Sequence, residues 1–200
     1  MTTILVITAG MGQPSSTQLL GQRLGEATLA GLREAGQQGV QLRHVELRTL
    51  AADLASYLVS RVPSQALREV FEAVGEASGV IAVTPVFNAS FSGLFKLFFD
   101  LLEEGLLAGR PVLLAATGGT QRHSLVIDHA MLPMFHYLKA RVLPLGVFAA
   151  TKDWGGSETR LSRRIGQAGA QFAELVAATP VVRPVDAFEH VTSFEDLLRG

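Results

Sequence analysis

The sequence predicts an α/β domain: a five-stranded parallel sheet, strand order 2-1-3-4-5, covered by helices on both faces as a three-layer sandwich. Three observations predict it. Short apolar runs at 4–7 (ILVI), 80–83 (VIAV) and 112–116 (VLLAA) lack the alternation of a half-buried strand, so each reads as a strand buried on both faces. Stretches with helical spacing alternate with them, which is the pattern of parallel strands joined by crossovers. Loops rich in glycine and hydroxyl side chains follow the strands, at 8–17, 84–93 and 118–123. In that strand order the switch point lies between the first and third strands, where α/β sheets bind ligands.

The elements follow in order. Residues 4–7 form the first strand, and 8–16 a loop carrying Gly10, Gly12 and Pro14. A helix starts near Thr17, with Leu20, Leu24, Ala27 and Gly31 on one stripe, and stops at Gly36 and Gly39. Residues 40–47 roughly alternate, as an edge strand does. Leu50, Leu54, Leu58 and Val62 suit a short connecting helix. Ser64 can cap the next helix, whose Leu67, Val70, Phe71 and Val74 repeat at i, i+3, i+4, i+7. The central strand begins at Val80 and is expected to stop at Pro85, which has no N–H to donate. Ser90 or Ser92 can cap a helix over 91–102 that is apolar on nearly every side, a pattern expected of burial against a second subunit. Residues 111–117 form a fourth strand. Residues 121–138 read as a helix kinked or broken at Pro133. Residues 141–149 form a fifth strand, which Pro144 assigns to a sheet edge. Ser157 is the expected cap of a last helix with Leu161, Ile165, Ala168, Phe172, Leu175 and Val176 on one face. The domain is expected to span 1–180, with 181–200 as a tail that turns at 193–198.

Composition narrows the function. The 200 residues are 48% apolar and carry a net charge of −1. A nucleic-acid or membrane-surface binder needs a basic footprint, which this chain lacks. There is no cysteine, which removes disulfides, thiolate metal sites and thiol redox chemistry. No signal peptide is evident, and no apolar run reaches the ~18 residues of a membrane span. A cytoplasmic protein is expected.

The loop from Gly10 to Gln18 nearly matches G-x-G-x-x-G, but Ser15 stands where the third glycine belongs. The second strand ends in Leu47 and Arg48, without an acid to hold a ribose. The loop does place the hydroxyls of Ser15, Ser16 and Thr17 at a helix N-terminus, where orphan N–H groups favour an anion. It reads either as a seat for a phosphate monoester or as an ordinary capping turn. The 84–93 loop offers backbone groups, small side chains and Phe87, which suits the face of a flat ring; a plain strand–helix turn is the alternative. Gly118 and Gly119 permit close backbone approach or a turn with positive φ. His123, His129 and His136 have neither the spacing nor the carboxylates of a metal site, and none is expected. Trp154 reads as a packing or interface residue before it reads as a lid. A phosphate seat beside quiet, backbone-lined loops suits flavin mononucleotide, whose ring carries its own chemistry.

Residues 84–93 (TPVFNASFSG), 116–120 (ATGGT) with His123, and 128–133 (DHAMLP) resemble the NAD(P)H-dependent FMN reductase family. The similarity is strongest to the flavin-supplying reductases of two-component monooxygenases, such as the alkanesulfonate and luciferase-like systems. It covers most of residues 1–150. The resemblance implies a flavodoxin-like fold, a homodimer or dimer of dimers, and FMN at the switch point. Ser15, Ser16, Thr17 and Gln18 would hold the phosphate, with Gly10 also among the cofactor-binding residues. Pro85, Val86, Phe87 and Asn88 would hold the ring and ribityl chain. Thr117, Gly118 and Gly119 would line the ring, with His123 nearby. Many relatives carry an arginine in the first loop, and this chain has none there. His129 falls where such reductases carry a one-residue helix insertion, so a π-bulge is expected near it, stacking across a subunit interface close to the flavin. The implied activity is hydride transfer from NAD(P)H to FMN, with reduced FMN passed to a partner monooxygenase. A quinone or azo reductase that retains FMN, and a flavodoxin-type electron carrier, are the alternatives.

Overall fold

The computed structural model describes residues 1–155 and 160–180. Strand β1 (Thr2–Thr8) is buried from Ile4 onward. Successive side chains of a strand face opposite ways, so Ile4 and Val6 enter one core while Leu5 and Ile7 enter another. The same alternation divides β3 (Gly79–Phe87) and β5 (Pro111–Gly118), placing a core on each side of the sheet. Helices α1 (Ser16–Glu34) and α6 (Arg160–Ala177) cover the Ile4 side. Small residues let the two approach closely: a Cβ on Gly169 would lie 2.5 Å from that of Ala27. The Leu5 side is covered by α2 (Ala51–Ser60), α3 (Gln65–Glu76), α4 (Gly93–Asp100) and α5 (Leu132–Tyr137). Phe95, Phe99 and Phe135 interlock there, with ring centroids of neighbours 4.7 and 4.8 Å apart. Such pairs contribute roughly 1 kcal/mol each beyond their burial.

The sheet runs β2-β1-β3-β5-β6, with β2 (Val40–Glu46) at one edge. Among the described residues it has seven strands rather than the expected five. Two differences account for this. The expected fifth strand is split into β6 (Arg141–Val142) and β7 (Val147–Ala150), both parallel to β5. Arg141 pairs with Pro111 and Val147 with Ala115, so this chain advances six residues while β5 advances four. The two surplus residues form an excursion around Pro144, which cannot donate to the ladder. Gly146 lets it return, because a Cβ there would sit 2.7 Å from Ile127 Cγ2.

The second difference is β4 (Ser90–Phe91), a short antiparallel partner of β3. Strand β3 does not stop at Pro85. It continues to Phe87, because Pro85 tolerates the extended backbone and the chain then folds back on itself. Asn88 and Ala89 make the two-residue turn with φ of 49° and 65°, the positive pair that tight hairpins use. Ser92, rather than Ser90, caps α4 by accepting from the Phe95 N–H at 3.2 Å.

Other expectations shift for local reasons. Leu54 of α2 is buried with Leu50 before it, but Leu58 is exposed, and Val62 lies beyond Arg61, which ends the helix in the left-handed region. Helix α4 buries Phe95, Phe98 and Phe99 inside the subunit and leaves Leu94 and Leu97 half-buried, while Gly93 and an exposed Lys96–Asp100 pair face outward. The 121–138 segment is three pieces: a 3-10 turn at Gln121–His123, a π-helix at Ile127–Met131, and α5. The Leu132 N–H bonds to the Ile127 carbonyl, an i→i−5 contact. Pro133 falls in the first turn of α5, where a missing N–H is tolerated. The expected Ser157 cap and the turn at 193–198 lie outside the described residues.

At the amino-terminal edge of the sheet, Arg110 is 3% exposed. Its guanidinium donates to the carbonyls of Ala77 and Gly75, the latter at 2.7 Å, and so closes the carboxyl end of α3.

A cleft at the carboxyl ends of the central strands

The three loops expected at the switch point meet in one open cleft of about 360 Å³ between the carboxyl ends of β1, β3, β5 and β7. Ser15, Ser16, Thr17, Pro85, Val86, Phe87, Thr117, Gly118 and Gly119 line it, together with Met11, Gly12, Pro14, Thr151 and Trp154.

The first wall is the loop into α1. Ser15 is the N-cap and accepts from the Gln18 N–H at 3.2 Å. A hydroxyl has one proton and two lone pairs, so capping leaves the Ser15 proton free for an acceptor in the cleft. The N–H groups of Ser16 and Thr17 have no preceding helical carbonyl, and the positive end of a 19-residue helix stands behind them. Gly10 lies beneath this loop: a Cβ there would be 2.1 Å from Ser15 Oγ and 3.0 Å from Thr17 Cβ. The Thr17 and Thr117 hydroxyls, both buried, bond to each other at 2.8 Å, tying the first wall to the third.

The second wall is the β3–β4 hairpin. Thr84, fully buried, accepts from the Ser92 N–H at 3.0 Å and donates to the Pro85 carbonyl at 2.9 Å. These bonds set the hairpin before anything binds. Phe87 stands at its tip, 49% exposed.

The third wall is the end of β5. Gly118 is required by packing, since a Cβ would meet the Phe148 ring at 2.9 Å. Gly119 is different. It does not have positive φ, and a Cβ there would meet nothing within 4 Å. The turn expectation for this pair does not hold, and open room beside Gly119 is what a flat ligand approaching the backbone requires.

The fourth wall is Trp154, for which the sequence favours packing or an interface over a lid. Trp154 packs beside the α1–α6 core yet also lines the cleft, so it is not a packing residue alone. Arg23 sits 5.5 Å from its ring. Asp153 holds this turn by accepting from the Ala150 N–H at 2.9 Å and from Gln121 Nε2 at 3.2 Å. The signal was available, because Trp154 follows the carboxyl end of a strand, where α/β ligands bind.

Four expected residues do not line the cleft. Gly10 underlies it, and Gln18 turns away to Glu46. Asn88 serves the hairpin turn and is exposed. His123 lies in a neighbouring hollow with Ala89, Arg122 and the exposed His129 of the π-helix.

Among the described residues, none that lines the cleft has an ionisable side chain. Among the described residues no group of three His, Asp or Glu could hold a metal, and no helix is long and apolar enough to cross a membrane.

This sheet, flanked by two helical layers with a cleft at its switch point, defines an α/β protein of the flavodoxin-like fold, which solved flavodoxins share at identities that show the fold alone. The chain belongs to the NADPH-dependent FMN reductase family, whose model matches residues 2–155. Members of that family use FMN and a nicotinamide nucleotide. The chain is 36% identical over 183 residues to an NADH-dependent FMN reductase, SfnE, of Pseudomonas putida, covering 90% of this chain and 95% of that one. It is also 36% identical over 152 residues to an FMN reductase (NADPH) of Pseudomonas aeruginosa, covering 76% and 78%. Among solved structures, an oxidoreductase from Corynebacterium diphtheriae superimposes with a TM-score of 0.86 at 40% identity, covering 90% of this chain and 99% of that one.

Proposed function

We propose that this chain is a flavin reductase that takes FMN into the cleft, reduces it with NAD(P)H and releases it to a partner monooxygenase. The observation that carries this reading is a switch-point cleft with a phosphate-suited end at the α1 N-terminus and backbone-lined walls on its other sides. The donor set fits FMN. The Ser15, Ser16 and Thr17 hydroxyls and the α1 N-terminus would hold the phosphate. The Pro85–Phe87 backbone and Gly119 would bracket the ring, with Trp154 and Phe87 as apolar walls. When bound, FMN supplies the hydride acceptor, its N5, for hydride from nicotinamide C4.

The chain's own residues then orient rather than react. Thr84 and Ser92 hold the hairpin rigid, Gly118 and Gly119 leave the backbone approachable, and Trp154 narrows the access of water. Positioning of this kind suffices where reacting atoms are held about 3–3.5 Å apart. Among the described residues the phosphate end is built from hydroxyls and backbone N–H groups rather than cations, which agrees with a flavin held loosely enough to leave. Relatives named for NADH and for NADPH stand at equal identity.

This reading takes 1–180 as the catalytic domain and 181–200 as an appended tail, acting in the cytoplasm, where reduced nicotinamide nucleotides are made. It takes the working form as a homodimer or dimer of dimers, with the π-helix around His129 at the subunit contact near the flavin. An exposed Leu125, at 58%, supports that choice of surface.

Anaerobic mixing of the protein with FMN and NADH or NADPH tests the activity. Rapid bleaching of the flavin band is expected, and FMN is expected to be lost on desalting. Retention of FMN on the column would favour a quinone or azo reductase, and absence of bleaching would leave a flavodoxin-type carrier.

A further inference from the structure

A ring of polar side chains surrounds the hydroxyl loop without lining the cleft. Gln13 and Gln18 flank residues 15–17 on either side. Glu46 ends β2 opposite Thr8, the last residue of β1, so it stands beside the loop that leaves β1. Its Oε1 accepts from Gln18 Nε2 at 2.5 Å, and its Oε2 accepts from Arg48 Nε at 3.1 Å. The Arg48 guanidinium turns back to the loop and faces the Gln13 side-chain amide; with that amide assigned so that its oxygen meets the guanidinium, the oxygen accepts from Nη1 at 3.1 Å and also from Nη2. The chain Gln13–Arg48–Glu46–Gln18 thereby closes a circuit around the loop. Both charged groups are partly buried, at 26% and 31% side-chain exposure, so water screens them less than a surface pair.

The arrangement has an electrostatic logic. An unpaired carboxylate near the α1 N-terminus would compete with a bound anion. Paired with Arg48 it is neutralised, and its oxygens act as fixed acceptors for both flanks of the loop.

We propose that the Glu46–Arg48 pair is the positioning device of the phosphate seat. It sets the separation of Gln13 and Gln18, hence the aim of the three hydroxyls between them, and so selects phosphorylated over unphosphorylated flavin. The proposal rests on the cleft being a flavin site, as read above. Arg48, on the 3-10 turn Leu47–Leu50 that follows β2, thus acts on the loop from outside the cleft rather than as a phosphate contact.

The test compares FMN and riboflavin affinities, read by flavin fluorescence, in the full chain and in Arg48→Met, Arg48→Lys, Glu46→Gln and Gln13→Ala. Arg48→Met is expected to weaken FMN about tenfold, the loss of one charge-assisted contact, with riboflavin changed less than about twofold. Arg48→Lys regains less than half of that loss, because an ammonium cannot fork between Glu46 and Gln13. Gln13→Ala combined with Arg48→Met is no worse than Arg48→Met alone, since both break the same circuit. Equal weakening of FMN and riboflavin, or an unchanged ratio in both Arg48→Met and Glu46→Gln, would overturn the proposal. A parent protein that binds FMN no better than riboflavin would instead overturn the phosphate seat itself.

Discussion

Arg110→Met is expected to cost the fold about 3 kcal/mol, seen as a fall in Tm of roughly 6–12 °C for a domain of this size. The guanidinium donates to the Ala77 and Gly75 carbonyls and, at 3.4 Å, to that of Leu106. Methionine fills similar volume but leaves these acceptors without a donor where little water reaches. Each charge-assisted bond is worth roughly 1.5–3 kcal/mol, and the recovered desolvation of the charge offsets part of the sum. Burial lowers the Arg110 pKa from its ordinary value. An arginine nevertheless stays charged at every working pH, so the contact is a constant of the fold rather than a pH switch. Arg110→Lys recovers less than half the loss, because one ammonium cannot serve carbonyls on both sides of the α3 terminus. Arg110 lies at the edge of the sheet opposite the cleft, so FMN affinity below Tm should match the parent. Thermal unfolding of the two variants checks this; a shift under about 2 °C for Arg110→Met would contradict it.

Gly10→Ala is expected to remove about 2 kcal/mol of FMN affinity, roughly 30-fold, while leaving riboflavin nearly unaffected. The new Cβ would lie 2.1 Å from Ser15 Oγ, 3.3 Å from Ser15 Cβ and 3.0 Å from Thr17 Cβ. Rotating the serine hydroxyl away relieves the first contact but breaks the cap on the Gln18 N–H, worth about 1 kcal/mol of helix stability. Moving Thr17 disturbs its bond to Thr117. The cap and at least one phosphate donor therefore move together. Equilibrium titration of both flavins against Gly10→Ala checks this, and an FMN affinity within threefold of the parent would rule it out.

Much of this was legible in the residues, for identifiable reasons. The runs at 4–7, 80–83 and 112–116 are apolar without alternation because both sheet faces are covered. Ser15 as cap follows from a hydroxyl before a periodic apolar stripe. The convergence of the loops follows from strand order alone. What escaped depends on pairing across the sheet. Pro144 announces a disturbance in the fifth strand, but only the register against β5 reveals two surplus residues. The second strand reads in sequence as ending at Leu47 and Arg48 without an acid, whereas β2 ends at Glu46, and the reach of Glu46 to Gln18 follows from its lying opposite Thr8. The continuation of β3 past Pro85 depends on a two-residue turn through Ala89, whose positive φ local propensity disfavours. A buried Arg110 looks in sequence like any surface arginine.

The central claim is that the cleft at the switch point is the flavin seat. The chain has one tryptophan, and it lines that cleft. Titrating the protein with FMN while following Trp154 emission therefore reads a single, known position. The account predicts saturable quenching, with the same midpoint as the change in flavin fluorescence, and a weakened midpoint in Gly10→Ala. FMN binding, measured by ultrafiltration, that leaves Trp154 emission unchanged would put the flavin elsewhere and contradict the account.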